Sequence, residues 1–370
     1  MVKLSYVKCD KIVMGAGFAG LAVAHQLTEQ GFRPTVVLDP DQSSLASSAS
    51  LGIFCSKGLG LPESPLFTLK LRGQQRLVER LKWFEGQGTP VLHQIGSILE
   101  PFRDFDDFAR LSGRVYRKQP MSVAGVGFAK WPFNGSSPFI GCLNYPQDGW
   151  LCPLAYREAF MATLRSRGVE FVAAKICRLE SEGSGVRLIG DTTQLTCRHL
   201  FVCAGAGSNS LFAGLERERF KPLVEVPGST WTANRACPWV GGIVLGTRSL
   251  NFRGSDVVFG SSSLTRKPSA DLEEERKTLD SELENCWLED TFGPLGTWGF
   301  QSSFGIRVRT QNRLPLMGRL WSEGESAIFA LTGMFKNGLQ LSEICAEALV
   351  QLALGQSVDP VFKKFMITSG

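Results

Sequence analysis

The spacing of apolar residues predicts alternating strands and helices at the start of the chain. The apolar run 11–14 predicts a strand, helical spacing over 18–30 predicts a helix, and 34–38 predicts a second strand. This order makes one β-α-β mononucleotide-binding unit. After a serine-rich loop at 43–50, leucine and phenylalanine at helical spacing predict a long helix over 65–85.

The pattern changes after residue 90 and then returns. Short strand-like pieces broken by glycine, proline and asparagine, such as 96–99 and 123–128, favour an antiparallel region. The remaining predicted elements are, in order, a helix over 154–165, strands over 169–173 and 200–203, strands between 224 and 263, a helix over 271–288, a strand over 327–331 and a helix over 339–354.

These elements predict a mixed α/β (α+β) chain with two interleaved domains. At 370 residues with 43% hydrophobic composition, the chain is long enough for more than one core. We expect a Rossmann-type dinucleotide-binding domain from 1–88, 145–222 and 300–370. A substrate domain built on an antiparallel sheet is expected from 89–144 and 223–299.

Composition narrows the class of protein. The net charge of +5 permits an anionic partner, but the basic residues are spread thinly. The ten cysteines form no C-x-x-C pair and predict reduced thiols in a cytoplasmic protein, while the three histidines lie in no metal-binding motif, so no metal is expected. The apolar run 12–27 is studded with glycine and the run 339–354 contains two glutamates, so neither is expected to span a membrane.

A glycine-rich motif links the first predicted strand to the first predicted helix. Gly15 suits a tight turn, Gly17 lets the backbone approach a pyrophosphate, and Gly20 with Ala24 permits close packing of helix and strand. The helix N-terminus would bind the phosphates. Asp39 follows nineteen residues after Gly20, suits the ribose hydroxyls and would repel an extra phosphate, so the motif predicts FAD or NAD.

Four further segments accompany this motif. They are Ser47-Ser48-Ala49-Ser50 before Gly52, Phe201-Val202-Cys203-Ala204-Gly205-Ala206, the arginine-containing run from Phe304 to Gly318, and Gly333-Met334-Phe335-Lys336-Asn337-Gly338-Leu339. Together they resemble the D-amino-acid oxidase superfamily of FAD-dependent amine oxidases, which includes glycine oxidase and sarcosine oxidase. In that family the segments lie along the flavin cofactor.

The resemblance implies a set of residues that hold FAD non-covalently. The implied cofactor-binding residues are Gly15, Ala16, Gly17, Phe18, Ala19, Gly20, Asp39, Pro40, Ser47, Ser48, Ala49, Gly52, Ile53, Ala204, Gly205, Arg307, Gly333, Phe335, Lys336, Asn337, Gly338 and Leu339. The helix that begins after Asn337 would turn its N-terminus toward the flavin, where its dipole favours the negative charge of the reduced form. Cys345, in the same helix, is interpreted as a core thiol rather than a point of flavin attachment.

The resemblance also implies a reaction and two catalytic residues. Hydride passes from the substrate carbon to flavin, and the resulting imine is hydrolysed. Arg307 would grip a substrate carboxylate with its planar guanidinium, although Arg309 on the same face leaves a surface or phosphate-facing role open. Lys336 would support the anionic reduced flavin or a second substrate charge, with a solvated lysine as the alternative. Trp150, Phe335 and Trp298 are candidate cavity walls or core residues.

A separate segment widens the range of substrates. Tyr145-Pro146-Gln147-Asp148-Gly149-Trp150-Leu151-Cys152-Pro153 is similar to a segment in the oxidase domain of bifunctional tRNA 5-methylaminomethyl-2-thiouridine biosynthesis proteins. That domain removes a carboxymethyl group from a wobble uridine. Asp148 replaces a usual glycine, and Asn312 stands where aspartate is common. The expected partner is therefore a small amine or amino acid, with tRNA as an alternative and a non-catalytic flavoprotein as a third possibility.

Overall fold

Two large sheets and one small sheet organise the chain in a computed structural model. It describes residues 5–41, 43–55, 64–118, 126–133, 138–182, 185–213, 215, 221–237, 239–245, 248–260 and 299–367. The strands are β1 Ser5–Met14, β2 Thr35–Leu38, β3 Ile53–Phe54, β4 His93–Ile95, β5 Ile98–Phe102, β6 Gly127–Ala129, β7 Gly141–Tyr145, β8 Gly149–Leu151, β9 Glu170–Ala173, β10 Ile176–Glu182, β11 Gly185–Gly190, β12 Thr193–Val202, β13 Val224–Ala233, β14 Gly241–Leu245, β15 Arg248–Phe252, β16 Val257–Gly260, β17 Gln301–Arg309, β18 Leu316–Glu323, β19 Ser326–Thr332 and β20 Met366–Ile367. The α-helices are α1 Phe18–Glu29, α2 Pro65–Gly86, α3 Phe105–Lys118, α4 Pro153–Ser166, α5 Ser208–Phe212 and α6 Gly338–Ala353.

The nine-stranded sheet has the strand order of a dinucleotide-binding fold. Its main path runs β20-β18-β19-β12-β1-β2-β9, with β10 and β11 attached beside β12. Strands β9, β2, β1, β12 and β19 are parallel, and the chain moves to one side of β1 for β2 and β9 and to the other side for β12 and β19. The order therefore reverses between β1 and β12. In open α/β sheets, ligands bind outside the carboxyl ends of the strands at this point.

Alternate side chains of the parallel strands enter two separate cores. On β12, Phe201 packs into the cluster formed with α1, α2, α4 and α6, while Leu200 and Val202 belong to the cluster on the opposite face with β10 and β11. Because both faces are covered there, the last residues of β1 and β12, 12–14 and 200–202, form continuous apolar runs rather than alternating ones.

The eight-stranded sheet lies in the part of the chain where the sequence pattern favours antiparallel strands. Its order is β17-β13-β16-β15-β14-β5-β7-β6, and only β14 and β5 pair in parallel. A three-stranded sheet, β3-β8-β4, carries the segment that follows the serine-rich loop. The pairing of β17 with β13 along 301–309 favours a domain boundary after 309 rather than at 300, and the domain division itself stays a prediction.

The predicted α/β class is confirmed, and most predicted elements have counterparts in the structure. The helix expected over 65–85 is α2, and the helix expected over 339–354 is α6. Helix α3 and the β10-β11 hairpin were not predicted. The helix expected over 271–288 lies outside the described residues. Within the described part of the chain, no helix combines the length and apolar character needed to cross a membrane.

A buried ionic network joins four helices behind the parallel sheet. Arg80 of α2 donates from Nε to both carboxylate oxygens of Glu343 on α6, at 3.1 and 2.9 Å, and Tyr156 of α4 donates to the same carboxylate at 2.9 Å. His25 of α1 lies 3.2 Å from the Arg80 guanidinium. Burial and the adjacent Arg80 lower the pKa of His25 to about 3, so the imidazole is neutral at physiological pH.

Removal of Glu343 is expected to destabilise the protein far more than removal of Glu347 on the same helix. Glu343→Ala leaves the Arg80 charge buried and unpaired, which costs about 3–5 kcal/mol of unfolding free energy. Glu347→Ala breaks a half-exposed pair with Arg76 and costs about 0–1 kcal/mol. Denaturant unfolding of the two variants measures the difference, and equal losses would contradict the structural role of the network.

Candidate dinucleotide and substrate site

The turn after β1 is built so closely that two of its glycines admit no side chain. Gly15 has φ of +110°, and a Cβ there would lie 2.5 Å from the carbonyl oxygen of Cys203 at the end of β12. A Cβ on Gly20 would overlap the carbonyl of Gly15. The Gly15 amide also donates to the carbonyl of Val37 at 2.7 Å. The turn is thus held between the ends of three neighbouring strands and the start of α1.

The N-terminus of α1 is suited to an anion. The helix begins at Phe18 with no acidic side chain in its first turn, and Gly17 is its N-cap residue. The Phe18 amide donates to the hydroxyl of Ser47 at 3.2 Å, so the serine-rich loop lies directly against the helix start. Unsatisfied amides and the positive end of the dipole make such a terminus a phosphate-binding position.

Arg157 of α4 supports this turn and was missed in the sequence analysis. Its Nε donates to the carbonyl of Ala16 at 3.1 Å and its Nη1 to the hydroxyl of Ser48 at 2.8 Å. Burial lowers the pKa of Arg157, although the neighbouring Glu158 opposes that effect. The guanidinium therefore ties the glycine turn to the serine-rich loop. The contact spans more than a hundred residues of sequence, so no local motif could reveal it.

A first cavity of about 310 Å³ lies at the carboxyl ends of the parallel strands. Asp39 stands at the end of β2, and its carboxylate accepts a hydrogen bond from the Asp41 amide at 2.9 Å. The predicted cofactor residues that line this cavity are Gly15, Ala16, Gly17, Phe18, Ala19, Asp39, Ser47, Ala204, Gly205, Arg307, Gly333, Phe335 and Gly338.

A second cavity of about 470 Å³ adjoins the first and shares part of its wall. Phe18, Ser47, Arg307, Phe335 and Gly338 line both cavities. The predicted residues found in the second cavity are Phe18, Ser47, Ala49, Gly52, Ile53, Arg307, Phe335, Lys336, Asn337, Gly338 and Leu339. Thr230 and Ser249 of the eight-stranded sheet also contribute and were not predicted.

Three of the predicted cofactor residues line neither cavity. Gly20 packs beneath the turn, and Ser48 accepts the hydrogen bond from Arg157. Pro40 is exposed beyond the end of β2. Gly20 and Ser48 shape the turn and the loop, and direct contact of these three residues with the cofactor stays a prediction.

Strand β17 lies between the two cavities, and the serine-rich loop packs against it. A Cβ on Gly305 would lie 2.8 Å from the Cα of Ala46, and the Ile306 amide donates to the carbonyl of Ser44 at 3.0 Å. Leu45 forms a parallel bridge with Ile306. The loop that contacts the phosphate turn is therefore fixed to the strand that carries Arg307.

Arg307 and Lys336 lie on the wall of the second cavity with Phe335 as a common neighbour. The Arg307 guanidinium carbon and the Lys336 Nζ are each 5.7 Å from the centre of the Phe335 ring. Burial lowers the pKa of Arg307 to about 10, so the guanidinium stays charged at neutral pH. Burial and the charge of Arg307 also lower the pKa of Lys336. Arg307 additionally donates to the carbonyl of Pro227 at 3.2 Å.

The cavity wall carries an unusual backbone conformation and two positive charges. Phe335 has φ of +53°, a region that side chains other than glycine rarely adopt and that concentrates at functional sites. The described residues that line the second cavity include these two cations and no carboxylate. Such a wall favours an anionic ligand.

The remaining candidates from the sequence are two tryptophans, Phe335 and one cysteine. Trp150 is 1% exposed within the core and lines neither cavity, whereas Phe335 lines both; Trp298 lies outside the described residues. Cys345 is fully buried in α6, where burial raises the pKa of its thiol to about 12. Across the described residues, no group of histidine, cysteine and carboxylate side chains is arranged to hold a metal ion.

The strand order, the close glycine turn and the two adjoining cavities are those of a dinucleotide-dependent protein. A family model described as FAD dependent oxidoreductase (DAO) matches residues 10–352. The chain therefore belongs to the DAO family of FAD-dependent oxidoreductases, and FAD is its cofactor. The close glycine turn after β1 and the two adjoining cavities fit FAD.

Individual relatives agree with the family. The chain is 23% identical to a glycine oxidase of Bacillus licheniformis, covering 94% of each chain. It is 24% identical to the tRNA 5-methylaminomethyl-2-thiouridine biosynthesis bifunctional protein of Cupriavidus metallidurans, covering 93% of this chain and 56% of that protein. Its fold resembles the crystal structure of iminodiacetate oxidase from Chelativorans sp. BNC1, with a TM-score of 0.79 and 16% identity over 96% and 98% of the two chains.

Replacement of Gly20 is expected to abolish retention of FAD. The added methyl group of Gly20→Ala would displace the Gly15 carbonyl and open the phosphate turn, so bound flavin should fall to about a tenth of the native content or less. Gly86→Ala, at the end of α2 with open space around it, is the matched control. The ratio of flavin absorbance to protein absorbance reports the result, and a Gly20→Ala protein with full flavin would contradict this account of the turn.

Proposed function

We propose that the protein oxidises the C–N bond of an amino acid or an N-substituted glycine, giving an imine that water hydrolyses. The observation that carries this proposal is the pair of cations, Arg307 and Lys336, beside the dinucleotide cavity, in a wall whose described residues include no carboxylate. When bound, FAD supplies a two-electron acceptor for hydride from the substrate carbon.

Arg307 is the proposed catalytic residue that binds the substrate carboxylate. Its guanidinium offers paired N–H donors that match two carboxylate oxygens, and burial strengthens this interaction. Its hydrogen bond to the Pro227 carbonyl limits rotation of the side chain. A bound carboxylate would then fix the adjacent α-carbon, which is the orientation effect that oxidation of that carbon requires.

Lys336 is proposed to supply a second positive charge in the same cavity. Its ammonium and the Arg307 guanidinium both lie near the Phe335 ring, so the two charges together make the electrostatic potential in the cavity more positive. This charge suits either a second substrate carboxylate or the negative charge that the cofactor acquires on reduction. The glycine oxidase and iminodiacetate oxidase names of two relatives support substrates with a glycine unit and one or two carboxylates.

A tRNA-borne substrate is the second candidate. It is supported by the match to tRNA 5-methylaminomethyl-2-thiouridine biosynthesis bifunctional proteins, of which this chain spans about half the length. A carboxymethylaminomethyl group carries the same glycine unit, so Arg307 would bind it in the same way. Bleaching of the flavin by such a tRNA, but not by free amines, would favour this candidate. A flavin that neither substrate reduces would favour the non-catalytic alternative.

Arg307→Met is expected to lower kcat/KM for sarcosine by about 100-fold or more, because two charge-assisted hydrogen bonds are lost. Arg309→Met is the matched control: it lies two residues along the same strand and lines neither cavity, so its kcat/KM should stay close to native. Steady-state kinetics on proteins of equal flavin content measures the ratio. Similar losses in both variants would remove Arg307 as the carboxylate-binding residue.

A further inference from the structure

Three polar side chains form a buried chain that leads to the substrate cavity. Gln340, in the first turn of α6, lines that cavity and is 8% exposed. Its Nε2 donates to Oε1 of Gln74 on α2 at 3.1 Å. Gln74 in turn donates from Nε2 to the carboxylate of Asp148 and to the backbone carbonyl of Gln147, both at 2.9 Å. Asp148 is fully buried.

The chemistry of these groups fixes the orientation of both amides. The carbonyl of Gln147 can only accept, so the end of the Gln74 amide that faces it must be the NH₂ group. The Oε1 of Gln74 then points to Gln340 and requires a donor there, which only the NH₂ end of Gln340 supplies. The hydrogen bond to Gln74 therefore uses the NH₂ end of Gln340, and Gln74 does not engage the carbonyl oxygen of that side chain.

The backbone holds this arrangement closely. The hydrogen-bonded series Gln340, Gln74 and Asp148 is called the relay below. A Cβ on Gly73 would overlap the backbone carbonyl of Gln340, so the backbones of α2 and α6 are in contact beside the relay. The Arg80–Glu343 pair joins the same two helices one turn further along α6. The backbones that carry the two glutamines are therefore held at a fixed separation.

We propose that Oε1 of Gln340 accepts a hydrogen bond from the amine N–H of the substrate, and that Gln74 and Asp148 are positioning residues that set its direction. The inference rests on the proposed amine oxidation. An acceptor at the N–H leaves the nitrogen lone pair to assist departure of hydride from the adjacent carbon. The substrate class is thereby narrowed to primary and secondary amines, because a tertiary amine has no N–H when neutral.

The test compares sarcosine with N,N-dimethylglycine, which share the carboxylate and the α-carbon and differ in the N–H. The rate of anaerobic flavin bleaching by each is measured in the native holoenzyme and in Gln340→Met, which keeps similar side-chain volume. The native enzyme should prefer sarcosine, and the preference should fall about tenfold in the variant because one hydrogen bond is lost. If the native enzyme prefers sarcosine only because N,N-dimethylglycine is bulkier, Gln340→Met should keep that preference.

Two further variants separate positioning from packing. Gln74→Met removes the acceptor that orients Gln340, so the preference for sarcosine should fall although Gln340 is intact. Gln351→Met, further along α6, is the matched control and should keep the native preference. If Gln340→Met does not fold, Gln74→Met carries the test, with thermal unfolding and flavin content as checks on integrity.

The outcomes separate the two proposals. Native protein that sarcosine reduces, together with an unchanged preference in Gln340→Met or Gln74→Met, overturns the role of the relay and leaves the proposed function standing. Native flavin that no amine reduces overturns both, and this result is visible before any variant is made. Equal native rates for sarcosine and N,N-dimethylglycine also overturn the relay.

Discussion

The close backbone contact where β1 and β12 end is the constraint on which the rest of the site depends. Gly15 touches the end of β12 and Gly20 touches Gly15, so α1 begins against the edge of the sheet at the point where the strand order reverses. A larger residue at either position would separate helix from strand. The close approach places the start of α1 at the crevice where the strand order reverses, which is the position at which a helix N-terminus can bind phosphate.

The second cavity exists because one strand of the antiparallel sheet reaches this crevice. Gly305 lets the serine-rich loop rest on β17, and the same loop contacts the start of α1 through Ser47. Arg307 follows two residues later and therefore lines both cavities. Burial strengthens the interaction of its charge with an anionic ligand, because the surroundings screen that charge less than water does.

The glycine turn and Asp39 could be predicted from the sequence because these residues lie close together along the chain. Gly15, Gly17 and Asp39 lie within one β-α-β unit, whose spacing and glycine chemistry are visible in a short window. Arg307 and Lys336 were found through resemblance, and the structure brings both to one cavity. Arg157 and Gln340 were missed because their contacts are with segments distant in sequence. The pairing of β17 with the antiparallel sheet was missed for the same reason, since register is decided by the partner strand.

This chain is an FAD-dependent oxidoreductase, and we propose that it takes electrons from an amino-acid-like amine. The visible spectrum of the purified protein, recorded without oxygen before and after addition of sarcosine, tests it most directly. We expect flavin absorbance that sarcosine or a related N-substituted glycine bleaches. Absence of flavin after reconstitution, or flavin that stays oxidised with every glycine-type amine and with carboxymethylaminomethyl-bearing tRNA, would contradict it.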